Sequence, residues 1–250
     1  ALLTGQWPHS CNMTGLVNRG WTLPEPEHLL SRTLKAAGYA TALAGFQHVV
    51  RNVEDGGWGR VLSEESGEED TEKRATSFIA EQHDRPFYLD VGFSETHRRN
   101  RGFAPQPEGE PKTDPRYIRP PVPFPDTPRT RQDMAEYMDA ARALDRKMGE
   151  VFDAIDANGL ADSTLVICTT DHGVAFPGMK CNLTDHGTGV MLILRGLGDF
   201  NGGKVIDALV SHVDLFPTVC EIAGIDLPDW LQGTSVLPLV TPQGSVKAIR

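Results

Sequence analysis

Three short apolar runs in this chain each end near a polar side chain that can bind a metal ion or transfer a proton. Residues 41–45 precede His48, residues 87–93 precede His97, and residues 164–170 precede Asp171 and His172. In an open α/β sheet, ligands and catalytic groups gather just outside the carboxyl ends of the strands. Three such endings therefore predict one shared site, and an enzyme is the interpretation that fits them.

The composition is that of an acidic globular protein. The chain has 250 residues, 39% of them hydrophobic and 23% charged, enough for one large α/β domain with a substantial core. Its formal net charge of −10 argues against a nucleic-acid partner, because phosphate binding needs clustered basic side chains. The sequence has no run of about 18 apolar residues, so no membrane-spanning helix is expected. The four cysteines form no C-x-x-C pair and indicate neither a zinc knot nor a redox motif.

Helical periodicity and terminator residues predict two of the helices. Residues 27–37 carry leucines at helical spacing, and Gly38 follows as a terminator. Thr127 is a good N-cap, and Pro128 suits the first helical position. Apolar residues at steps of three and four then predict one long amphipathic helix to about Ala157.

The remaining elements alternate in type. A continuous apolar run at 190–194 predicts a strand covered on both faces. Asp214 is a candidate cap for a helix that reaches residue 223, with Gly224 as its terminator. Strands that alternate with helices predict a mostly parallel, layered α/β sheet in a single domain.

Two segments lack periodic apolar positions. Residues 53–71 are rich in Gly and Glu and predict a solvated loop that leads into a helix over 71–82. Residues 98–126 hold many prolines and predict a long irregular excursion. Long loops in compact domains often form lids or substrate-binding walls, and this excursion is interpreted in that way.

Asp171 and His172 have the chemistry of a divalent-cation site. A carboxylate and an imidazole at a strand-to-loop turn, followed by Gly173, supply an oxygen and a nitrogen donor side by side. The alternative on this pair alone is an Asp that caps a turn beside an exposed His.

His48 and His97 are weaker as single residues, since an isolated His at a strand end is more often structural. Their convergence with Asp171 and His172 strengthens all four. Lys180, nine residues after Asp171, is a candidate cation for an anionic substrate or a developing negative charge. His186 lies on the same predicted loop and ranks below the others.

The ordered set of motifs resembles one known family, the sulfatases of the alkaline phosphatase superfamily. Residues 2–5 are similar to the tail of the first sulfatase signature, C-x-P-S-R-x-x-L-L-T-G. Residues 38–48 resemble the second signature, G-Y-x-T-x-x-x-G-K-x-H. Residues 87–97 are similar to a family strand that ends in a substrate-facing histidine. Residues 144–173 resemble the long helix, the strand and the metal-binding turn.

This resemblance implies a fold and a set of roles. The fold is an α/β, alkaline-phosphatase-like layered sandwich with a mostly parallel central sheet flanked by helices. Asp171 and His172 are implied as metal ligands. His48 and His97 are implied to contact the sulfate or the leaving group, and Lys180 to neutralise a sulfate oxygen. Residues 1–250 are then expected to be one catalytic domain, incomplete at its N-terminus and without the C-terminal subdomain.

The implied cofactor is a divalent metal ion, with Ca²⁺ the expectation from the family. His172 stands where many sulfatases have Asn, and its nitrogen makes Mn²⁺ an alternative. The implied substrate is a small-molecule or glycan sulfate ester. Residues 176–182 most resemble the sulfamidase-like members, which cleave the sulfamate of N-sulfoglucosamine.

Two departures from the family pattern keep alternatives open. The formylglycine nucleophile of the family is expected just upstream of Ala1, with the first acidic metal ligands, so the chain as given is expected to be inactive. Phe46 occupies the position of the signature Lys. A phosphoric or phosphonic ester hydrolase of the same superfamily is one alternative. A non-catalytic remnant that binds sulfated glycans is another.

Overall fold

The structure, a computed structural model, describes residues 1–62, 70–81, 83–98, 102–103, 109–200 and 202–241. Five strands and six α-helices lie within these ranges. The most acidic part of the predicted 53–71 loop, residues 63–69, falls outside them. So do residues 99–101 and 104–108 of the predicted excursion.

A three-stranded parallel sheet forms the centre of the fold. Its strands are β1 (Ala40–Gly45), β2 (Arg60–Val61) and β3 (Phe87–Gly92), with β1 in the middle. The four central residues of β1 are buried, because strands flank both edges and helices cover both faces. The apolar runs at 41–45 and 87–93 are confirmed as strands to within one residue at each end. The prediction of a loop throughout 53–71 is wrong at β2, whose two exposed residues carry no apolar pattern.

Side chains at alternate positions of β1 and β3 pack into two hydrophobic layers on opposite faces of the sheet. One layer contains α1 (Leu30–Ala36), where Leu30 and Leu34 pack with Phe216 and Cys220. The opposite layer contains α2 (Thr71–Ile79) and α3 (Pro128–Ala157). In that layer five buried residues form a cluster: Ala44, Ala75, Ile79, Val151 and Ile155. The predicted helix over 27–37 starts later than expected, because Pro26–His28 forms a separate 3₁₀ turn.

The long helix α3 begins and ends where the sequence predicts. Thr127 Oγ1 accepts a hydrogen bond from the Thr130 amide at 3.2 Å, and Thr130 Oγ1 accepts one from the Thr127 amide at 3.0 Å. This reciprocal capping box, with Pro128 in the first turn, defines the start. The helix has 30 residues, so it spans roughly 45 Å at 1.5 Å per residue.

Strands β4 (Leu165–Thr169) and β5 (Leu192–Gly196) form a separate antiparallel pair. Val166 of β4 packs on the same cluster as α2 and α3, which joins this pair to the core. The expectation that the 190–194 run is covered on both faces is wrong. Burial alternates along β5, and Ile193 is 56% exposed, so this strand has one solvent-facing side.

Three further helices complete the described chain: α4 (Asp185–Thr188), α5 (Leu215–Ala223) and α6 (Leu237–Val240). Asp214 lies at the start of α5 as predicted, but its carboxylate accepts hydrogen bonds from the amides of Ser211 and Thr234, both at 2.8 Å. Gly224 ends α5 with φ +66°, in the left-handed region that favours glycine. The predicted α/β class is confirmed. None of the helices in the described ranges combines the length and apolar content needed to cross a bilayer.

Candidate functional site

The backbones of β1 and β3 lie very close together at the carboxyl ends of the two strands, just before His48. Gly45 pairs with Gly92 across the two strands and has φ +85°. A Cβ at position 45 would lie 2.0 Å from the Gly92 carbonyl oxygen, so this contact requires glycine. His48 follows on an exposed loop, with its ring 5.2 Å from that of Phe46 in an edge arrangement.

His97 lies at the end of a turn that follows β3. Its amide donates to the carbonyl oxygen of Ser94 at 2.8 Å, which closes the turn. Within the turn, Glu95 accepts a hydrogen bond from Lys147 of α3 at 2.7 Å. Lys147 Nζ is also 3.9 Å from a carboxylate oxygen of Glu72 in α2. The turn that presents His97 is therefore anchored to both helices of one layer.

Asp171 and His172 follow β4, and their donor atoms face each other. Nδ1 of His172 lies 2.6 Å from the Gly173 carbonyl oxygen, which can only accept, so in the neutral ring Nδ1 carries the proton. Nε2 then carries a lone pair and lies 3.4 Å from Oδ1 of Asp171. Two electron-pair donors at this separation fit two adjacent positions around one cation.

The described residues supply only part of a metal shell. No group of three or more His, Cys, Asp or Glu side chains in the described ranges is arranged to hold an ion. Asp171 is 85% exposed, and within the described ranges the structure gives its carboxylate no Lys or Arg partner. The pair fits a divalent cation in donor type and spacing, and further ligands must come from elsewhere.

A cavity of about 510 Å³ brings His97 and Lys180 together. The two candidate residues come from loops after β3 and after β4, 83 positions apart in sequence. Its other walls are Arg98, Asp133, Ala175, Phe176, Pro177 and Cys181. A histidine and a lysine that line one cavity can offer positive charge and hydrogen-bond donors to a tetrahedral anion.

His48, Asp171 and His172 do not line this cavity. The structure thus unites two of the five predicted site residues in one pocket and pairs two others at the end of β4. His186, on α4, is exposed, but its carbonyl oxygen lies against Gly173, where a Cβ would come within 1.8 Å. His186 therefore supports the turn after His172 through its backbone.

Arg98 and Asp133 also line the cavity, and the sequence analysis did not predict either of them. The Arg98 guanidinium donates to both Asp133 carboxylate oxygens, at 2.8 and 2.7 Å. The two residues are 35 positions apart, and no local pattern relates them. Adjacency of Arg98 to His97 was the one available signal.

His212 was also missed. Its Nε2 is 2.8 Å from Oγ1 of Thr169, the last residue of β4. Burial lowers the pKa of His212, and the negative charge of Asp171 acts in the opposite direction. The imidazole therefore lies close to the turn that carries Asp171, and it is held in a desolvated position there.

Comparison with known proteins identifies the family of this chain. A family model described as Sulfatase matches residues 1–225. The human protein N-sulphoglucosamine sulphohydrolase is 30% identical over 189 residues, which cover 64% of this chain and 38% of that protein. The chain thus spans little more than a third of the length of this relative.

Two solved structures share the fold. One, described as a complex with its substrate D-glucosamine-2-N,6-O-disulfate, superimposes with a TM-score of 0.76 at 18% identity and covers 99% of this chain and 70% of its own. A phosphonate monoester hydrolase from Silicibacter pomeroyi has a TM-score of 0.68 at 18% identity, with 98% of this chain and 67% of its own covered.

Proposed function

The chain belongs to the sulfatase family, and from this premise we propose that it carries the sulfate-binding part of a metal-dependent sulfuric ester or sulfamate hydrolase. The proposed substrate is a sulfated sugar or a small sulfate ester. Support for the sugar comes from the human relative named for N-sulfoglucosamine and from the neighbour described with a disulfated glucosamine.

The observation that carries the proposal is the cavity shared by His97 and Lys180. A sulfate group has oxygens on every side and a single negative charge in the ester. A lysine ammonium and an imidazole N–H from two separate loops can satisfy that charge and two of those oxygens. Because Asp133 already pairs with Arg98, Lys180 and His97 are the ionisable donors among the described lining residues that are proposed to bind the anion. His48 is proposed to contact the leaving group.

Asp171 and His172 are the residues that would hold the metal ion. A divalent ion there supplies positive charge toward the reacting oxygens when it is bound. Within the protein, the Gly173 carbonyl fixes the proton on Nδ1 of His172. This leaves the lone pair of Nε2 available to bind the metal ion. The formylglycine nucleophile is proposed to lie in the part of the first signature that precedes residues 2–5.

The test is hydrolysis by the full protein that contains this chain. An aryl sulfate, an N-sulfated glucosamine and the matching aryl phosphate are compared at equal concentration, with released sulfate or phosphate measured. We expect turnover of the sulfate or sulfamate, and at least a tenfold loss with Lys180→Met. The exposed helical residue Lys35, changed to Met, is the matched control and should leave the rate unchanged.

His172 favours one alternative, because a nitrogen donor replaces the Asn of many sulfatases and a phosphonate hydrolase shares the fold. Faster release of phosphate than of sulfate would assign the chain to phosphoric or phosphonic ester hydrolysis. Binding of sulfated sugar without any release would indicate a non-catalytic member of the family.

A further inference from the structure

We propose that Arg98 is a positioning residue that fixes the His97 turn and the Lys180 loop relative to each other. The side chains of His97 and Lys180, here called the anion cradle, are then in place before the substrate binds. The inference rests on the proposed function only for the identity of the anion, sulfate. The contacts of Arg98 with Asp133 and Ala175, here called the clamp, are a property of the fold and can be tested without any ligand.

Arg98 joins three separate segments through directional contacts. Its two terminal nitrogens bind both oxygens of Asp133 on α3, at 2.8 and 2.7 Å. Its Nε donates to the carbonyl oxygen of Ala175 at 3.2 Å, in the loop that leads to Lys180. A lysine at this position has no planar fork and could not make these bonds together.

Aromatic packing holds the guanidinium plane in place. The Cζ atom of Arg98 lies 4.3 Å from the ring centroid of Phe103 and 5.2 Å from that of Phe176. Both phenylalanines are buried and belong to one cluster with Ala140 of α3 and Met179. These cation–π contacts hold the guanidinium in a partly buried ion pair with Asp133.

The loop that carries Lys180 is compact, so a hold at Ala175 reaches Lys180. The Lys180 amide donates to the Val174 carbonyl oxygen at 3.2 Å, and the Met179 amide donates to Phe176 at 3.1 Å. The first of these bonds closes a loop that contains Ala175, and the second tightens the turn between Ala175 and Lys180. On the other side, Arg98 directly follows His97, whose turn is closed at Ser94. The guanidinium therefore lies at the junction of the two segments that supply the cradle.

The decisive variant is Asp133→Asn, which keeps side-chain size and leaves the sequence around His97 and Lys180 unchanged. Its matched control is Asp156→Asn on the same helix. Asp156 accepts from Arg195 at 2.7 and 2.9 Å, and Arg195 lies 5.9 Å from the Phe152 ring. The two substitutions therefore remove the same kind of contact, one inside the cavity wall and one outside it.

The first readout is amide hydrogen exchange without ligand. With Asp133→Asn, we expect exchange of the His97 and Lys180 amides to rise together by at least tenfold, with amides of β1 unchanged. Asp156→Asn should move neither. Exchange that stays at the parent rate, or that rises in one segment alone, overturns the clamp. Arg98→Lys gives a second reading if Asp133→Asn does not fold, and should show the same paired rise.

The second readout is the affinity for inorganic sulfate in a cycle of His97→Gln and Lys180→Met. If His97 and Lys180 are held in position together, the losses of sulfate-binding free energy caused by the two substitutions are non-additive in the parent. The two losses should become additive once Asp133→Asn is present. A contribution to overall stability alone would leave this coupling intact, and that result would reject a positioning role. If the parent binds no sulfate while exchange behaves as expected, the clamp stands and the proposed function fails.

Discussion

Nζ of Lys147 in the middle of the long helix α3 lies 2.7 Å from Oε1 of Glu95, two residues before His97. Glu72 of α2 contributes a second carboxylate 3.9 Å from the same ammonium. Each glutamate also has one buried oxygen without a hydrogen-bond partner among the described residues. One lysine thus compensates two buried acids beneath the turn that presents a candidate catalytic histidine.

Lys147→Met should therefore destabilise the fold strongly. Removal of the ammonium leaves two buried carboxylates uncompensated, and loss of one partner of a buried ion pair costs about 3 kcal/mol. Urea unfolding at pH 7 measures this loss. Lys73→Met is the control, since Lys73 pairs with Asp70 at an exposed site and should change stability by under about 1 kcal/mol. Adding Glu95→Gln to Lys147→Met should recover part of the loss, and equal losses in the two lysine variants would contradict the interpretation.

The contact between Gly45 and Gly92 predicts a second, steric effect. Gly45→Ala places a Cβ 2.0 Å from the Gly92 carbonyl oxygen at a left-handed φ of +85°, so backbone must move. Gly38→Ala is a matched control, because Gly38 also has a positive φ, +93°, but no atom lies within 4 Å of its Cβ position. We expect roughly 1 kcal/mol of destabilisation at Gly38 and clearly more at Gly45. Thermal unfolding of both variants checks this, and similar melting temperatures would show that the strand ends can separate freely.

Asp90 on β3 predicts a pH dependence of stability. Burial raises the pKa of its carboxyl to about 6, against the partial opposing effect of a hydrogen bond from Tyr88. The native state then binds more protons than the unfolded state between pH about 4 and about 6. Stability therefore falls as pH rises through this window, since ionisation is costlier in the fold.

Asp90→Asn removes that component. The difference in unfolding free energy between the variant and the parent should grow in favour of the variant from pH 4 to pH 7, measured by urea unfolding at each pH. Glu54→Gln, at an exposed position of the 3₁₀ turn after β1, is the control for the loss of one charge. Parallel pH profiles of the unfolding free energy in the parent and the variant would contradict this prediction and indicate that the Asp90 carboxyl is solvated.

Sequence reasoning located the elements whose own pattern encodes burial. β1 and β3 were found to within one residue because their apolar runs coincide with covered strands. α3 was found from its capping residues, which act within one turn. β2 was missed because its formation depends on backbone pairing with Ala42 and Leu43, and its exposed side chains leave no trace in the pattern.

The candidate site divides in the same way. His97 and Lys180 could be proposed as site residues because each lies beyond a recognisable strand, and the structure places both at one cavity. Arg98, Asp133 and His212 could not, because their partners lie 35 and 43 positions away in sequence. Long-range ionic and hydrogen-bond partners are set by tertiary packing, and a single sequence contains no periodic signal for them.

The facing donors of Asp171 and His172 lead to a prediction about metal choice. Because one donor is nitrogen, millimolar Mn²⁺ should raise the melting temperature of the full protein that contains this chain more than Ca²⁺ does. Asp171→Asn should abolish both shifts. His172→Asn replaces the nitrogen donor by an amide oxygen, so it should remove the preference for Mn²⁺ and retain a response to Ca²⁺. Asp162→Asn, an exposed acid before β4, should behave as the parent. Metal responses that persist in Asp171→Asn would locate the ion elsewhere, because the 3.4 Å pair is the arrangement from which the prediction follows.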